Sequence, residues 1–128
     1  MTDENISGTA LVLVGHGSNL PDNKQNITTF CDIIKKRNIY PLVEVSFLQK
    51  NDPSLLEVLD KLIIDGIKKI IVLPVFLAKG VHTQQDIPKV IEKVTDGKKV
   101  EIVYAEPLGV DERIADILLD RASEALKG

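Results

Sequence analysis

The stretch Ala10-Leu11-Val12-Leu13-Val14-Gly15-His16-Gly17-Ser18 decides the fold. Its continuous apolar run, closed by a glycine, reads as a strand buried on both faces, the kind found inside a parallel sheet. A second such run, Ile70 to Leu77, predicts a second central strand. Pro74 within it predicts a bulge or weak pairing, because proline removes a ladder donor. Val43-Glu44-Val45-Ser46-Phe47 alternates strictly and Val100-Glu101-Ile102-Val103-Tyr104 does so in part, as expected of edge strands with one partly wet face.

Helical spacings fill the gaps between these runs. The sets are Ile27, Phe30, Cys31 and Ile34, then Leu55, Val58, Leu59 and Leu62, then Ile87, Val90, Ile91 and Val94, and last Ile114, Ile117 and Leu118. Each repeats at three and four residues and so predicts an apolar stripe on one helix face. For the second helix the expected punctuation is Asp52 as N-cap, Pro53 at the first helical position and Gly66 past the end. Strands alternating with helices imply an α/β fold with a parallel sheet covered on both faces. With the first and third strands central, the order is 2-1-3-4, a flavodoxin-like lobe of four strands.

The 128 residues make one domain, 1–128, with no linker or internal repeat. At 44% hydrophobic and 27% charged the chain can bury a core. Its 16 basic and 19 acidic side chains are spread along the chain and leave a net charge of -3, against the concentrated basic face of a nucleic-acid binder. Aromatic residues are 4%, which also argues against base-stacking platforms. The longest apolar run, Ile70 to Ala78, has 9 residues, far short of the roughly 18 that cross a bilayer. The polar, acidic start Met1-Thr2-Asp3-Glu4-Asn5 is unlike a signal peptide, so a cytoplasmic protein is expected. Cys31, at a helical apolar position, reads as a buried structural thiol.

In an open parallel sheet the ligand crevice lies at the carboxyl ends of the strands, where the order reverses. Here that is between the first and third strands. The chain's two histidines follow those two strands: His16 in Gly15-His16-Gly17-Ser18, and His82 in Lys79-Gly80-Val81-His82. A single histidine is more often a hydrogen-bonded surface residue. Two of them expected at one switch point, each near a glycine that lets backbone approach a ligand, mark a site.

Other readings of the turn fail on particular residues. A dinucleotide fingerprint needs glycine where Leu20 stands. A histidine phosphatase needs arginine where Gly15 stands, and a receiver domain needs acidic residues where Gly15-His16 and Phe76-Leu77 stand. A closed zinc site needs about four ligands. An open, weak imidazole site for cobalt, nickel or iron suits the residues better.

With those residues in view, the sequence resembles the short form of the CbiX sirohydrochlorin chelatases. The resemblance rests on Ala10 to Ser18, Phe47-Leu48 with Asp52-Pro53-Ser54, Pro74 to Leu77 through Gly80-Val81-His82, Asp86-Ile87-Pro88, and Glu106-Pro107-Leu108-Gly109. It implies insertion of divalent cobalt or nickel, with iron possible, into sirohydrochlorin on the way to cobalamin or coenzyme F430. The metal is a substrate, and no tightly bound cofactor is implied.

By the same resemblance His16 and His82 are the metal-binding and catalytic residues. Gly17, Ser18, Gln49, Lys79, Gly80 and Val81 are candidate substrate contacts. The family often carries glutamate at the place of Gln49. Glutamine can hydrogen-bond a pyrrole or carboxylate but cannot accept a proton at neutral pH. Lys79, Lys50 and Arg113 are candidate partners for the carboxylates of the tetrapyrrole. Longer relatives carry two lobes around one cleft, so a single lobe is expected to form a homodimer with facing crevices, touching near Phe76, Leu77 and Val81. A non-catalytic tetrapyrrole or metal carrier of the same fold is the alternative.

Overall fold

A computed structural model describes residues 7–128, and of residues 81–84 the backbone only. The elements follow in strict alternation: β1 (Thr9–Gly15), α1 (Pro21–Lys36), β2 (Leu42–Phe47), α2 (Leu55–Ile64), β3 (Lys69–Pro74), α3 (Val81–Thr95), β4 (Glu101–Tyr104) and α4 (Glu112–Lys127). The strands form one parallel sheet of order β2-β1-β3-β4, as the apolar runs imply. No helix among the described residues is long and apolar enough to cross a membrane.

Pro74 ends β3 three residues before Leu77 and makes no bulge. The register with β1 runs unbroken from Thr9↔Lys69 to Val14↔Pro74. The next ladder bond is made directly past the proline, where the Val75 N–H donates to the Val14 carbonyl at 2.8 Å. The donor that Pro74 lacks points to the other side, where β4 has already ended opposite Val72. A proline is tolerated there because nothing on that side asks for its N–H.

The α2 cap also differs from expectation. Ser54, not Asp52, is the N-cap: its hydroxyl accepts from the Glu57 N–H while the Glu57 carboxylate accepts from the Ser54 N–H. This capping box satisfies two orphan donors at once, which a lone Asp52 does not. Pro53 therefore lies in the preceding loop, and its carbonyl accepts from the Phe47 N–H at 2.9 Å. At the other end Gly66, at φ 93, closes the helix as expected. The Gly66 N–H bonds to Ile63 and the Ile67 N–H to Leu62, the paired bonds of a Schellman motif.

The core sits on both sides of the sheet, unequally. On one face Ala10, Val12, Val14, Ile70 and Val72 pack against Leu55, Val58, Leu59 and Leu62 of α2 and Ile87 and Val94 of α3. On the other, Leu11, Leu13 and Val43 pack against Cys31, with Ile27 and Ile34 around it. Cys31 is buried as predicted, and burial pushes its thiol above the usual range.

Two expected stripes are corrected. Phe30 is 52% exposed and lies outside the α1 core. On α4 no residue is buried, and Ile117 and Leu118 stand largely in solvent. A helical period records that a face is apolar, and leaves open what covers it. In this chain helices cover both faces of the sheet, but only α1, α2 and α3 do the covering.

Candidate active site

The site begins where β1 runs out. At Gly15 an added Cβ would overlap the Ile27 side chain and press against the Phe47 ring at 3.0 Å, so only glycine lets α1 approach the strand end. The Gly15 carbonyl accepts from the Leu48 N–H at 3.0 Å, which ties the end of β1 to the loop after β2. Gly17 adopts φ 98, a left-handed conformation natural to glycine, and a Cβ there would overlap the Gln49 carbonyl. The two loops therefore interlock backbone against backbone.

Asn51 completes this clamp: its side-chain oxygen accepts from the Ser18 N–H at 2.9 Å. Ser18 in turn accepts from the Leu20 N–H at 3.0 Å, so its hydroxyl shapes the turn into α1. Asn51 was not among the residues expected from the sequence. Its partner lies 33 positions away and no period connects them. The one signal was its place in the polar loop Lys50-Asn51-Asp52, where Asn commonly bonds backbone.

His16 is presented by this clamp at the surface. The Gln49 amide, expected from the sequence only as a substrate contact, lies 3.3 Å from His16 Nδ1. His16, Gly17 and Ser18 form one wall of a cleft of about 500 Å³ whose other wall carries Phe30, Val75 and Phe76. The exposure of Phe30 is thus explained: it faces the cleft.

Val81 and His82 open α3, after a loop of six residues that follows β3. Their backbone follows the strand adjacent to β1, at the same carboxyl end of the sheet. The side chains of Val81 and His82 lie outside the described residues, and with them the expected meeting of the two imidazoles. Gly80 precedes them in the exposed loop.

Of the candidate cations, Lys79 pairs with Glu106 at 3.3 Å and sits 5.7 Å over the Tyr104 ring. Burial raises the Tyr104 phenol above its usual range while Lys79 opposes the shift, and its buried hydroxyl has no hydrogen-bond partner among the described residues. Lys79 does not line the His16 cleft. Arg113 turns back onto its own helix cap, bonding both oxygens of Asp111 at 2.9 and 2.8 Å. Those bonds hold the Asp111 carboxyl well below the usual carboxylate range. Lys50, at φ 63, is exposed in the loop after β2.

Among the described residues no three His, Cys, Asp or Glu side chains cluster to hold a metal ion. Residues 10–125 match the model of the CbiX family.

The chain belongs to the CbiX family. It is 39% identical to the sirohydrochlorin cobaltochelatase of Methanococcus aeolicus, over 88% of this chain and 96% of that one. With the sirohydrochlorin cobaltochelatase of Methanococcus maripaludis it shares 42% identity, over 89% and 97%. Among solved structures it is similar to the sirohydrochlorin chelatase SirB of Bacillus subtilis subspecies spizizenii in complex with cobalt, with a TM-score of 0.83 and 27% identity. That match covers 91% of this chain and 50% of SirB, so this CbiX chain corresponds in length to half of SirB. A CbiX protein from Marinobacter aquaeolei, 24% identical over 93% of this chain and 98% of that one, shares the fold with a TM-score of 0.76.

Proposed function

We infer that this CbiX chain inserts a divalent metal ion, cobalt or nickel, into sirohydrochlorin with loss of two pyrrole protons, and that it works in the cytoplasm. The observation that carries the reading is the near full-length match to sirohydrochlorin cobaltochelatases at about 40% identity. The site chemistry supports it. Two protons leave as the ion enters, so the reaction needs a base and a ligand weak enough to release the metal. Neutral imidazole can be either, with an ordinary pKa of about 6.5.

His16 takes the ion at the cleft, and His82 completes the pair from the first turn of α3. Gln49 orients the His16 ring. When its amide nitrogen donates to Nδ1, the ring proton sits on Nε2. With the amide turned over, its oxygen accepts from Nδ1–H and leaves the Nε2 lone pair for metal. A glutamate there would accept a hydrogen bond but could not donate one once ionised. Phe30, Val75 and Phe76 give the macrocycle an apolar wall, and its carboxylates reach beyond the cleft to Lys50 and to Lys79, which exchanges its partner Glu106 for them. Two copies bring their clefts face to face, which removes water from the second side of the ring and strengthens electrostatic control of deprotonation.

The test is turnover. Apoprotein, sirohydrochlorin in excess and each of Co²⁺, Ni²⁺ and Fe²⁺ are mixed and followed by absorbance against the protein-free rate. Many equivalents of metallated product per protein are expected with cobalt or nickel. A spectral change that stops at one equivalent would identify a carrier and overturn the reading.

A further inference from the structure

We propose that Glu106 is a built-in competitor for the substrate: its carboxylate holds Lys79 in the empty protein, yields it to a carboxylate of the tetrapyrrole, and takes it back as the metallated product leaves. Resting on the metal-insertion reading above, this role needs only that Lys79 takes a carboxylate on the rim of the macrocycle. Lys79 lies on the loop between β3 and α3, three residues before His82. Three residues of chain span at most about 11 Å. A macrocycle held at the candidate metal site therefore brings its rim within range of the ammonium.

The ammonium is placed before any carboxylate arrives. It sits 5.7 Å over the Tyr104 ring, within the range at which a ring face attracts a cation. The Tyr104 hydroxyl is buried and has no hydrogen-bond partner among the described residues, so the ring alone is the shelf. Whichever carboxylate Lys79 holds, that shelf stays the same.

Glu106 fills the place 3.3 Å away, from the connector that follows β4. Two backbone bonds staple this connector to the Lys79 loop: the Leu108 N–H donates to the Phe76 carbonyl at 3.0 Å and the Gly109 N–H to the Leu77 carbonyl at 2.7 Å. Pro107 also restricts the Glu106 backbone to extended conformations. The pair is thus preset by the chain, unlike two long side chains that meet by chance at a surface. It is also easy to break. The Lys79 and Glu106 side chains are 33% and 82% exposed, and pairs this wet shift an equilibrium by no more than about fivefold. A released Glu106 stays hydrated, so letting go costs little.

Competition of this kind matters because the metal enters at the centre of the ring and leaves the rim carboxylates unchanged. Lys79 holds substrate and product alike, a uniform binding that lowers KM and slows release without lowering the barrier to insertion. A carboxylate tethered beside Lys79 competes at high effective concentration at every stage. It weakens both complexes by the same factor and returns the site to its empty state after each turnover.

Full-length Glu106→Gln, Lys79→Met and the double variant are titrated beside wild type with metal-free sirohydrochlorin and with its cobalt complex, and release of the cobalt complex is timed by stopped flow. Glu106→Gln should bind both compounds about two- to fivefold more tightly and release the cobalt complex more slowly by the same factor. Lys79→Met should bind both more weakly, and adding Glu106→Gln to it should change nothing further. Unchanged affinity in Glu106→Gln overturns the proposal. Equal tightening with and without Lys79 also overturns it, because the effect would then be only the loss of a negative charge near a polyanion. The titrations need no turnover: a wild type that binds sirohydrochlorin but inserts no metal defeats the metal-insertion reading, and binding alone still decides the part played by Glu106.

Discussion

The two faces of one sheet are treated differently in this molecule. Facing α2 and α3, Ile70 and Val72 are fully buried, as is Leu59 of α2 against them, and α2 is capped at both ends by motifs that satisfy its own backbone. Facing α1, the adjacent residues Ile71 and Leu73 are half-covered and α4 stands unpacked. The first face holds the domain together. The second carries the wall of the His16 cleft, so the incomplete core coincides with the side of the candidate site.

The largest effect should separate the faces. Ile70→Ala empties a wholly buried site and should cost about 2–5 kcal/mol in urea unfolding at any protein concentration. Its neighbour Ile71→Ala should cost clearly less, because Ile71 is only half-buried and the site left behind opens to water. Equal costs would abolish the distinction.

On the functional side, Gly17→Ala should cost about 1–3 kcal/mol through its positive φ and the overlap with Gln49. Metal insertion should fall with it, since the turn that carries His16 must open. An unchanged melting temperature would show that the two loops are not interlocked. A smaller loss is expected of Asn51→Ala, which leaves the Ser18 N–H without its acceptor: about 1 kcal/mol, with a lower insertion rate and a retained fold.

The smallest effect belongs to the sturdy face. Ser54→Ala removes one half of the capping box and should cost about 1 kcal/mol. The bonds from Ser54 hold the Glu57 carboxyl below its usual range. Its contribution is therefore present above the ordinary carboxylate pKa and is lost as pH falls through the depressed value. Ser54→Ala keeps the backbone N–H that lowers Glu57 most and loses only the hydroxyl's part, so its stability should fall slightly less steeply than wild type between about pH 5 and pH 3.

Much of this was legible in the residues. Continuous runs against alternating ones gave the central and edge strands and hence the order β2-β1-β3-β4. The turn after β1 was legible because Gly15 and Gly17 meet steric demands that no side chain satisfies. What escaped was set by partners distant in sequence. Asn51 reaches Ser18 across 33 positions, and Phe30 shares the spacing of a core residue but faces the cleft. The α4 stripe at Ile114, Ile117 and Leu118 has the same spacing as the others, because periodicity does not say what covers it. The effect of Pro74 was not legible either, because it depends on which neighbour its missing N–H would face.

The central claim is that the two histidines at the carboxyl end of the central strands carry metal insertion. It is tested most directly by the initial rate of Co²⁺ insertion into sirohydrochlorin for His16→Ala and His82→Ala, each alone, beside wild type and a protein-free control. Circular dichroism melts of the same preparations separate loss of activity from loss of fold. We predict that both variants melt like wild type and insert cobalt at close to the protein-free rate. Wild-type rates in both, with the fold intact, would contradict the account.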